Sequence, residues 1–489
     1  MTRPRRTDQP NSRGVTLAWH GRTWESSSRA APAVSADAPE SRVVEEAGDR
    51  KHRLLFGDAL DVAGRLAADG LAGKVQLVYV DPPFASQADY VNEARLDGPA
   101  DGRVRRNVAY GDSWTGTAAY LDMLAPRIEA LTKLLAPTGC IWVHLDWRAS
   151  YLVRVLLDEI LGPDRFLNEV VWRRAPNLGR QAASSQFGRT LDTLVVYGKT
   201  NEAKLTPPTR LEVVPEEAIR WDEKKRPNTL APRGDYTDAS VERLESEGRI
   251  HRTASGKVYV KYFLVKDAAG RWCRERRVDA LWTDVSPLRH AAKSERTGFP
   301  TQKPRALLER IILASTQPGD TVVDLFAGSG TTGEAAHALG RRAILGDKGL
   351  TAIATARARL LRADAGLSVE RCGGPARGVV DRAGPVLRLG RPSSERLSIA
   401  LVTPEEPLAW AIDPRFSPGK AFVTTWHSER RPQTRPIPAD AEAVIPLPRG
   451  PLAVRVFGDD GLETTGIVTR EAILRSKGAS TLVRTRDSA

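Results

Sequence analysis

Three short apolar runs in this chain each stop at an aspartate, and they constrain its fold more than any other feature. Val75-Gln76-Leu77-Val78-Tyr79-Val80 runs into Asp81, Thr321-Val322-Val323 into Asp324, and Ala343-Ile344-Leu345-Gly346 into Asp347. Short runs of this kind, apolar without alternation, predict strands buried on both faces, as in a parallel sheet covered by helices. Helical spacing flanks them. Leu121, Leu124, Ile128, Leu131 and Leu135 share one face of a segment starting at Tyr120. Arg305 to Ser315 predicts a second helix, with Thr301 as cap and Pro304 at an early helical position. Further helices are expected through Glu334–Leu339 and up to Arg359, and further strands at Cys140–Leu145 and Leu191–Tyr197. Strand, loop, helix and strand in succession predict an α/β, doubly wound sheet built from two blocks of chain.

Between the blocks the rhythm is lost and the charge rises. Residues 173–294 carry 24 basic and 16 acidic side chains, a net +8, whereas residues 49–172 carry 14 and 17, a net −3. The whole chain of 489 residues stands at +13, so more than half the excess sits in one middle stretch. Such a stretch invites a polyanionic partner. A wholly disordered chain is excluded by the 41% of hydrophobic residues. The length predicts about two to four domains. We expect a disordered arm at 1–48, with order beginning near Arg53. A first α/β block at 49–172 should follow, then the basic insertion at 173–294, a second block at 295–365, and a β-rich appendage at 366–489. Cys140, Cys273 and Cys372 are too few and too scattered for a disulfide framework or a cysteine zinc site, which favours a cytoplasmic setting. His144 and His290 lack metal spacing, so no metal is expected. No apolar run reaches the roughly 18 residues of a membrane span.

Two motifs carry chemistry. Gly328-Ser329-Gly330-Thr331-Thr332-Gly333 follows a strand and opens a helix, which lets the backbone turn tightly against a ligand. Asp347, ending the next strand, suits ribose hydroxyls. By itself this loop fits a dinucleotide or S-adenosylmethionine equally well. Asp81-Pro82-Pro83-Phe84 is sharper. The lone pair of a nucleobase amino group is conjugated with the ring, so the nitrogen is a poor nucleophile. A carboxylate beside a backbone carbonyl can accept both its N–H bonds and draw it toward tetrahedral geometry. Prolines stiffen such a loop without donating competing hydrogen bonds, and an aromatic neighbour offers a flipped base a stacking surface.

Together and in this order, about 245 residues apart from 81 to 326, the motifs resemble the β class of amino-directed (N6-adenine or N4-cytosine) DNA methyltransferases. Gly57-Asp58-Ala59-Leu60, Leu134 to Gly139, Phe166 to Trp172, Trp282-Thr283-Asp284 and Gly298-Phe299-Pro300-Thr301-Gln302-Lys303-Pro304 extend the resemblance over roughly residues 52–362. It implies a circularly permuted, Rossmann-like methyltransferase sheet with an inserted target-recognition region, S-adenosylmethionine as cofactor and double-stranded DNA as partner. It leaves open a homodimer and a restriction or defence-system partner.

The resemblance also implies roles for the matching residues. Asp81, Pro82, Pro83 and Phe84 would hold the target base. Asp58, Thr301, Gln302, Lys303, Asp324, Phe326, Gly328, Ser329, Gly330 and Asp347 would bind the cofactor. In the insertion, Lys224-Lys225-Arg226 and Arg271, Arg274, Arg276 and Arg277 are the candidate DNA contacts. Asp347 is followed by Lys348, where the family usually places a more apolar residue. Carbon-5 cytosine chemistry would need a nucleophilic cysteine after proline, and none of the three cysteines follows one. Aspartate at the head of the tetrapeptide leans toward adenine N6 over cytosine N4. A dinucleotide-dependent oxidoreductase would use the same glycine loop but leaves Asp81-Pro82-Pro83-Phe84 unexplained. A regulatory DNA-binding protein, or a methyltransferase for RNA or protein, is the other alternative.

Overall fold

The computed structural model describes residues 17–19, 21–22, 24, 39–83, 89–95, 104–111, 116–176, 185–373, 385–390, 392–393, 395–402, 409–417, 420–429, 442–458, 463–476, 481–484 and 486–487. They form two compact units, one of residues 206–279 and one of everything else.

The apolar runs become the middle of one large mixed sheet. Its elements in chain order begin with β1 (Ser41–Ala47), β2 (His52–Phe56), α1 (Ala59–Leu66) and β3 (Val75–Val80). A separate hairpin, β4 (Asp89–Arg95) and β5 (Val104–Gly111), comes next. Then follow α2 (Thr117–Leu134), β6 (Leu135–Leu145), α3 (Ser150–Leu161), β7 (Phe166–Arg173) and β8 (Leu191–Gly198). After the smaller unit the chain returns as β9 (Leu281–Trp282), α4 (Arg305–Ser315), β10 (Thr321–Asp324), α5 (Thr331–Ala338), β11 (Arg342–Asp347), α6 (Leu350–Arg362), β12 (Leu367–Cys372) and β13 (Phe422–Thr424). The strand order is β9-β7-β8-β6-β3-β10-β11-β2-β12-β1-β13. From β6 through β12 neighbours run parallel. Leu54, Leu55, Leu77, Val78, Val80, Ile141, Val143, Val322, Val323, Ile344 and Leu345 are almost wholly buried, as strands covered on both faces require.

The two blocks therefore meet in the centre. β3 from the first lies beside β10 from the second, with Tyr79 opposite Asp324. The helix expected at 305–315 spans those residues. Its N-cap is Pro304, however, and Thr301 stands outside the helix with φ +59. That left-handed backbone is uncommon for a β-branched residue and marks local strain.

Within the stretch at 1–48 expected as an arm, some of the described residues are built into the fold. Residues 41–47 form β1, paired antiparallel with β12 and parallel with β13. Upstream, Trp24 is buried and its Nε1 donates to Glu129 at 2.9 Å, while Arg22 pairs with Glu159 at 2.6 Å. These anchors lack a periodic pattern, so composition conceals them. At the other end β12 belongs to the central sheet, which moves the appendage boundary past Cys372. The appendage itself folds as two antiparallel sheets around Leu387, Leu397, Ile399, Trp410, Ile412, Leu452 and Val454.

The smaller unit is an antiparallel sheet of strands 209–213, 220–221, 227–232, 250–252, 258–266 and 272–277 with one helix, Asp238–Ser246. Val241, Leu244, Val260, Leu264 and Cys273 fill its core. It is narrower than the 173–294 insertion because β7, β8 and β9 are strands of the main sheet. Residues 206–279 hold 16 basic and 13 acidic side chains, a net +3; the rest of the +8 lies in the flanks.

Candidate functional site

Parallel strands in register bring their ends to one edge, and here four aspartates follow. Asp81 and Asp324 close the neighbouring strands β3 and β10, Asp347 closes β11, and Asp58 follows β2 as the N-cap of α1. A cavity of about 300 Å³ opens there. Asp58, Tyr79, Asp81, Pro82, Pro83, Arg127, Phe299, Thr301, Gln302, Lys303, Asp324, Phe326, Gly328, Ser329, Asp347 and Lys348 line it. Phe84 lies outside the described residues. Clefts at the carboxyl ends of parallel strands are where open α/β sheets bind ligands.

The glycine loop forms the cavity floor for steric reasons. Gly330 has φ +74, and a Cβ there would sit 2.7 Å from Ala356 of α6. Gly328, at φ +48, faces the Phe299 ring, 3.2 Å from where its Cβ would be. Only glycine combines that backbone with that approach. The Gly328 N–H donates to Asp347 Oδ2 at 2.9 Å, and Gly349 N–H donates to Oδ1 at 2.8 Å. Asp324 accepts from Thr332 Oγ1 at 2.6 Å and from the Phe326 N–H at 3.0 Å.

These carboxylates are close-set and dry. Burial is the main reason Asp324 is pushed up to about 7, and the negative charges of Asp81 and Asp347 add to it. Burial likewise raises Asp347 against its two backbone donors. Asp58 goes the other way: burial would raise it, but the Arg127 guanidinium at 2.6 Å outweighs that and holds it low.

The shift at Asp324 has a measurable consequence. Its folded value lies above its ordinary 3.8, so the native state keeps a proton that the unfolded state has released. Its contribution to stability thus falls as pH rises from about 4 to about 7, by at most ~4 kcal/mol. Asp324→Asn removes this dependence. The difference in thermal midpoint, variant minus wild type, is expected to become more positive from pH 5 to pH 8; a difference constant with pH would refute the argument.

Lys303 reaches Asp81 from the segment before α4, and the two form a short ion pair. The other carboxylate oxygen of Asp81, Oδ1, is buried and has no hydrogen-bond partner among the described residues. Gln302, expected among the cofactor ligands, borders the cavity but spends its amide on the chain. Its Oε1 accepts from Thr297 N and Oγ1 at 2.8 and 2.7 Å, and its Nε2 donates to Glu295 O at 2.8 Å. Ser329 is similarly turned inward, its Oγ 3.0 Å from Thr331 Oγ1. Gln302 and Ser329 therefore shape the loops. Tyr79, Arg127 and Phe299 line the cavity without having been singled out in the sequence. Tyr79 was within reach, since it stands near the end of β3, two residues before Asp81. Arg127 gave no signal, because its pairing with Asp58 spans 69 residues.

A family model described as DNA methylase, for the N6-adenine and N4-cytosine enzymes, matches residues 75–357. The chain belongs to that family. This DNA methylase is 27% identical over 333 residues to the Type II methyltransferase M.EcaI of Enterobacter cloacae, across 62% of its own length and 68% of the relative's. It is 25% identical over 346 residues to the Mod subunit of the Type III restriction-modification enzyme StyLTI of Salmonella typhimurium, across 61% of its length and 52% of that subunit. It thus spans about half of the StyLTI subunit. Among solved structures, the M1.HpyAVI–SAM complex matches 63% of this chain and 98% of its own at 18% identity and TM-score 0.37. The cytosine-N4-specific PvuII DNA methyltransferase matches 65% and 90% at 16% identity and TM-score 0.38.

In the smaller unit of this methylase, most of the arginines expected to meet DNA are engaged within the unit. Arg226 pairs with Asp222 at 2.8 Å, Arg271 with Asp267 at 2.8 Å and Arg276 with Glu212 at 3.4 Å. The Arg274 guanidinium lies 3.5 Å from the Tyr262 ring centre. Lys224, Lys225 and Arg277 are exposed. No cluster of His, Cys, Asp or Glu among the described residues could hold a metal, and no described helix is long and apolar enough to cross a membrane.

Proposed function

We propose that this methylase transfers a methyl group from S-adenosylmethionine to the exocyclic amino group of adenine (N6) in double-stranded DNA. One observation carries the reading. The Asp81-Pro82-Pro83 loop and the glycine loop, far apart in sequence, end adjacent strands around one cavity. A cavity ringed by Asp81, Asp324 and Asp347, two of them raised by burial, favours a ligand that is cationic and rich in donors. S-adenosylmethionine is both, through its ammonium, its sulfonium and its ribose hydroxyls. Asp324, Asp347, Asp58 and the backbone at Phe326, Gly328 and Gly330 are the groups we assign to it.

The cofactor supplies an activated methyl whose leaving group is a neutral thioether. The protein has to place the nitrogen in line and accept hydrogen bonds from both its N–H groups; the nitrogen, positive and acidic once methylated, then releases one of those protons to solvent. Asp81 Oδ1, buried and without a partner among the described residues, accepts one N–H; the Pro82 carbonyl, in a loop whose prolines supply no N–H donor of their own, accepts the other. Lys303 pairs with the other carboxylate oxygen of Asp81. Lys224, Lys225 and Arg277, exposed in the smaller unit, are the side chains we assign to phosphate contacts, and Arg226, Arg271, Arg274 and Arg276 join them by exchanging partners. Cytosine N4 is the second reading, because every contact named here meets an amino group. The StyLTI relative belongs to a restriction-modification enzyme, and we extend that setting to this chain as part of the proposal.

The test is methylation-sensitive long-read sequencing of DNA from cells with and without the gene, together with incorporation of labelled methyl by purified protein. Gene-dependent N6-methyladenine at a fixed sequence is expected. N4-methylcytosine would select the second reading, and calorimetry showing NAD bound but not S-adenosylmethionine would reject both.

A further inference from the structure

Behind Asp81 a buried chain of polar groups crosses three strands. Asp192 on β8 is almost wholly buried, and its Oδ1 meets Arg174 Nε at 2.8 Å. Its Oδ2 lies 3.2 Å from His144 Nε2 on β6, and His144 Nδ1 lies 2.8 Å from the Tyr79 hydroxyl on β3. Tyr79 in turn lines the catalytic cavity and lies opposite Asp324 in the sheet register.

The direction of these hydrogen bonds follows from the first member. A carboxylate held by a guanidinium can only accept. Burial pushes Asp192 up, but the bonds from His144 and the charge of Arg174 outweigh it, and the group titrates below its ordinary range. His144 Nε2 must therefore carry a hydrogen. In a neutral imidazole Nδ1 then accepts, so the Tyr79 O–H donates to it. The Tyr79 oxygen is left with lone pairs alone.

We infer that Asp192, acting through His144, holds the Tyr79 hydroxyl as an obligate hydrogen-bond acceptor toward the cavity, where it shares with Asp81, in a three-centre bond, the N–H of the target amino group that the Pro82 carbonyl does not take. The inference rests on the proposed function and deepens it. Tyr79 near the end of β3 and Asp81 just after it both line the cavity, so its wall offers acceptors close together. An exocyclic amino group satisfies them, whereas a carbonyl edge such as that of thymine meets lone pair against lone pair. Asp192 and His144 are positioning residues, since they act through Tyr79.

The experiment is a double-mutant cycle on the purified full chain. Labelled S-adenosylmethionine and amplified, unmodified genomic DNA are the substrates, and cofactor affinity is measured by calorimetry. Tyr79→Phe is expected to lower single-turnover methylation about tenfold, the worth of one good hydrogen bond, with cofactor affinity unchanged. Asp192→Asn reverses the chain: its amide donates to Nε2, Nδ1–H then points at Tyr79, and the phenol hydrogen turns into the cavity. It should lose at least as much as Tyr79→Phe on its own, yet add nothing in the Tyr79→Phe background. Should Asp192→Asn fail to fold, His144→Gln, which can donate and accept at once, is expected to retain most activity where His144→Leu does not. Wild-type rates in Tyr79→Phe, or equal losses for Asp192→Asn in both backgrounds, would overturn the inference and leave the methylation reading intact. A wild type that binds cofactor but methylates no DNA would sink the reading and the inference with it.

Discussion

Asp81→Ala is expected to slow methyl transfer at least about a thousandfold while cofactor affinity changes by less than about threefold. The size follows from two losses. The nitrogen loses the acceptor that orients its lone pair, a charge-assisted bond of about 2–3 kcal/mol. It also gains a hostile neighbour, because Lys303, now paired with Asp81, is left as an uncompensated cation beside a nitrogen that becomes positive as it is methylated. Asp81→Asn should lose nearly as much, since its amide presents a donor where the base also donates. Pairing Asp81→Ala with Lys303→Met should recover part of the rate by removing the stray charge. Single-turnover incorporation of labelled methyl, beside calorimetry with S-adenosylmethionine, measures both terms. A rate within tenfold of wild type would take Asp81 out of the chemistry. A parallel loss of cofactor binding would mean that it holds the cavity open.

The parts of this fold that could be anticipated are those whose cause is local. Buried parallel strands announce themselves as apolar runs, and the glycine loop as a backbone that no other residue can follow; hence 75–80, 305–315, 321–324 and 342–347 are legible. Asp81, Asp324 and Asp347 were legible for the same reason, as acids ending such strands. Residues whose role depends on a distant partner stayed hidden. Gln302 carries a family motif, yet its amide is consumed by Thr297 and Glu295. His144 looks like an isolated histidine, and its neighbours Tyr79 and Asp192 stand 65 and 48 residues away. The charge of the insertion misled in a different way: +8 is a property of residues 173–294, but within the unit at 206–279 most clustered arginines already have partners. Composition counts charges without saying which are committed.

Glu45→Ala is the substitution expected to cost most in stability, and nothing in Arg42-Val43-Val44-Glu45-Glu46 distinguishes it from a solvated acid. Glu45 sits on β1, 2% exposed, between three elements. Arg357 of α6 donates to its carboxylate at 2.6, 2.8 and 3.0 Å, Thr424 of β13 donates to the same group, and Arg455 approaches it at 3.5 Å. Burial would raise this carboxyl, but Arg357 and Arg455 together bring it below its ordinary range. Its contribution is thus present at neutral pH and is lost as pH falls through that lowered value. Alanine there leaves Arg357, itself 2% exposed, as a buried charge stripped of its carboxylate, a change worth about 3–5 kcal/mol. The same physics predicts that removing both charges is milder than removing one. Denaturant unfolding should therefore show Glu45→Ala far below wild type and Glu45→Leu with Arg357→Met well above Glu45→Ala. The lesion falls on the strand joining the central sheet to β13, so limited proteolysis should release residues after 373 from Glu45→Ala before it opens the cavity. A single variant within 1 kcal/mol of wild type, or a double variant worse than the single, would show that the network is not what seats this strand.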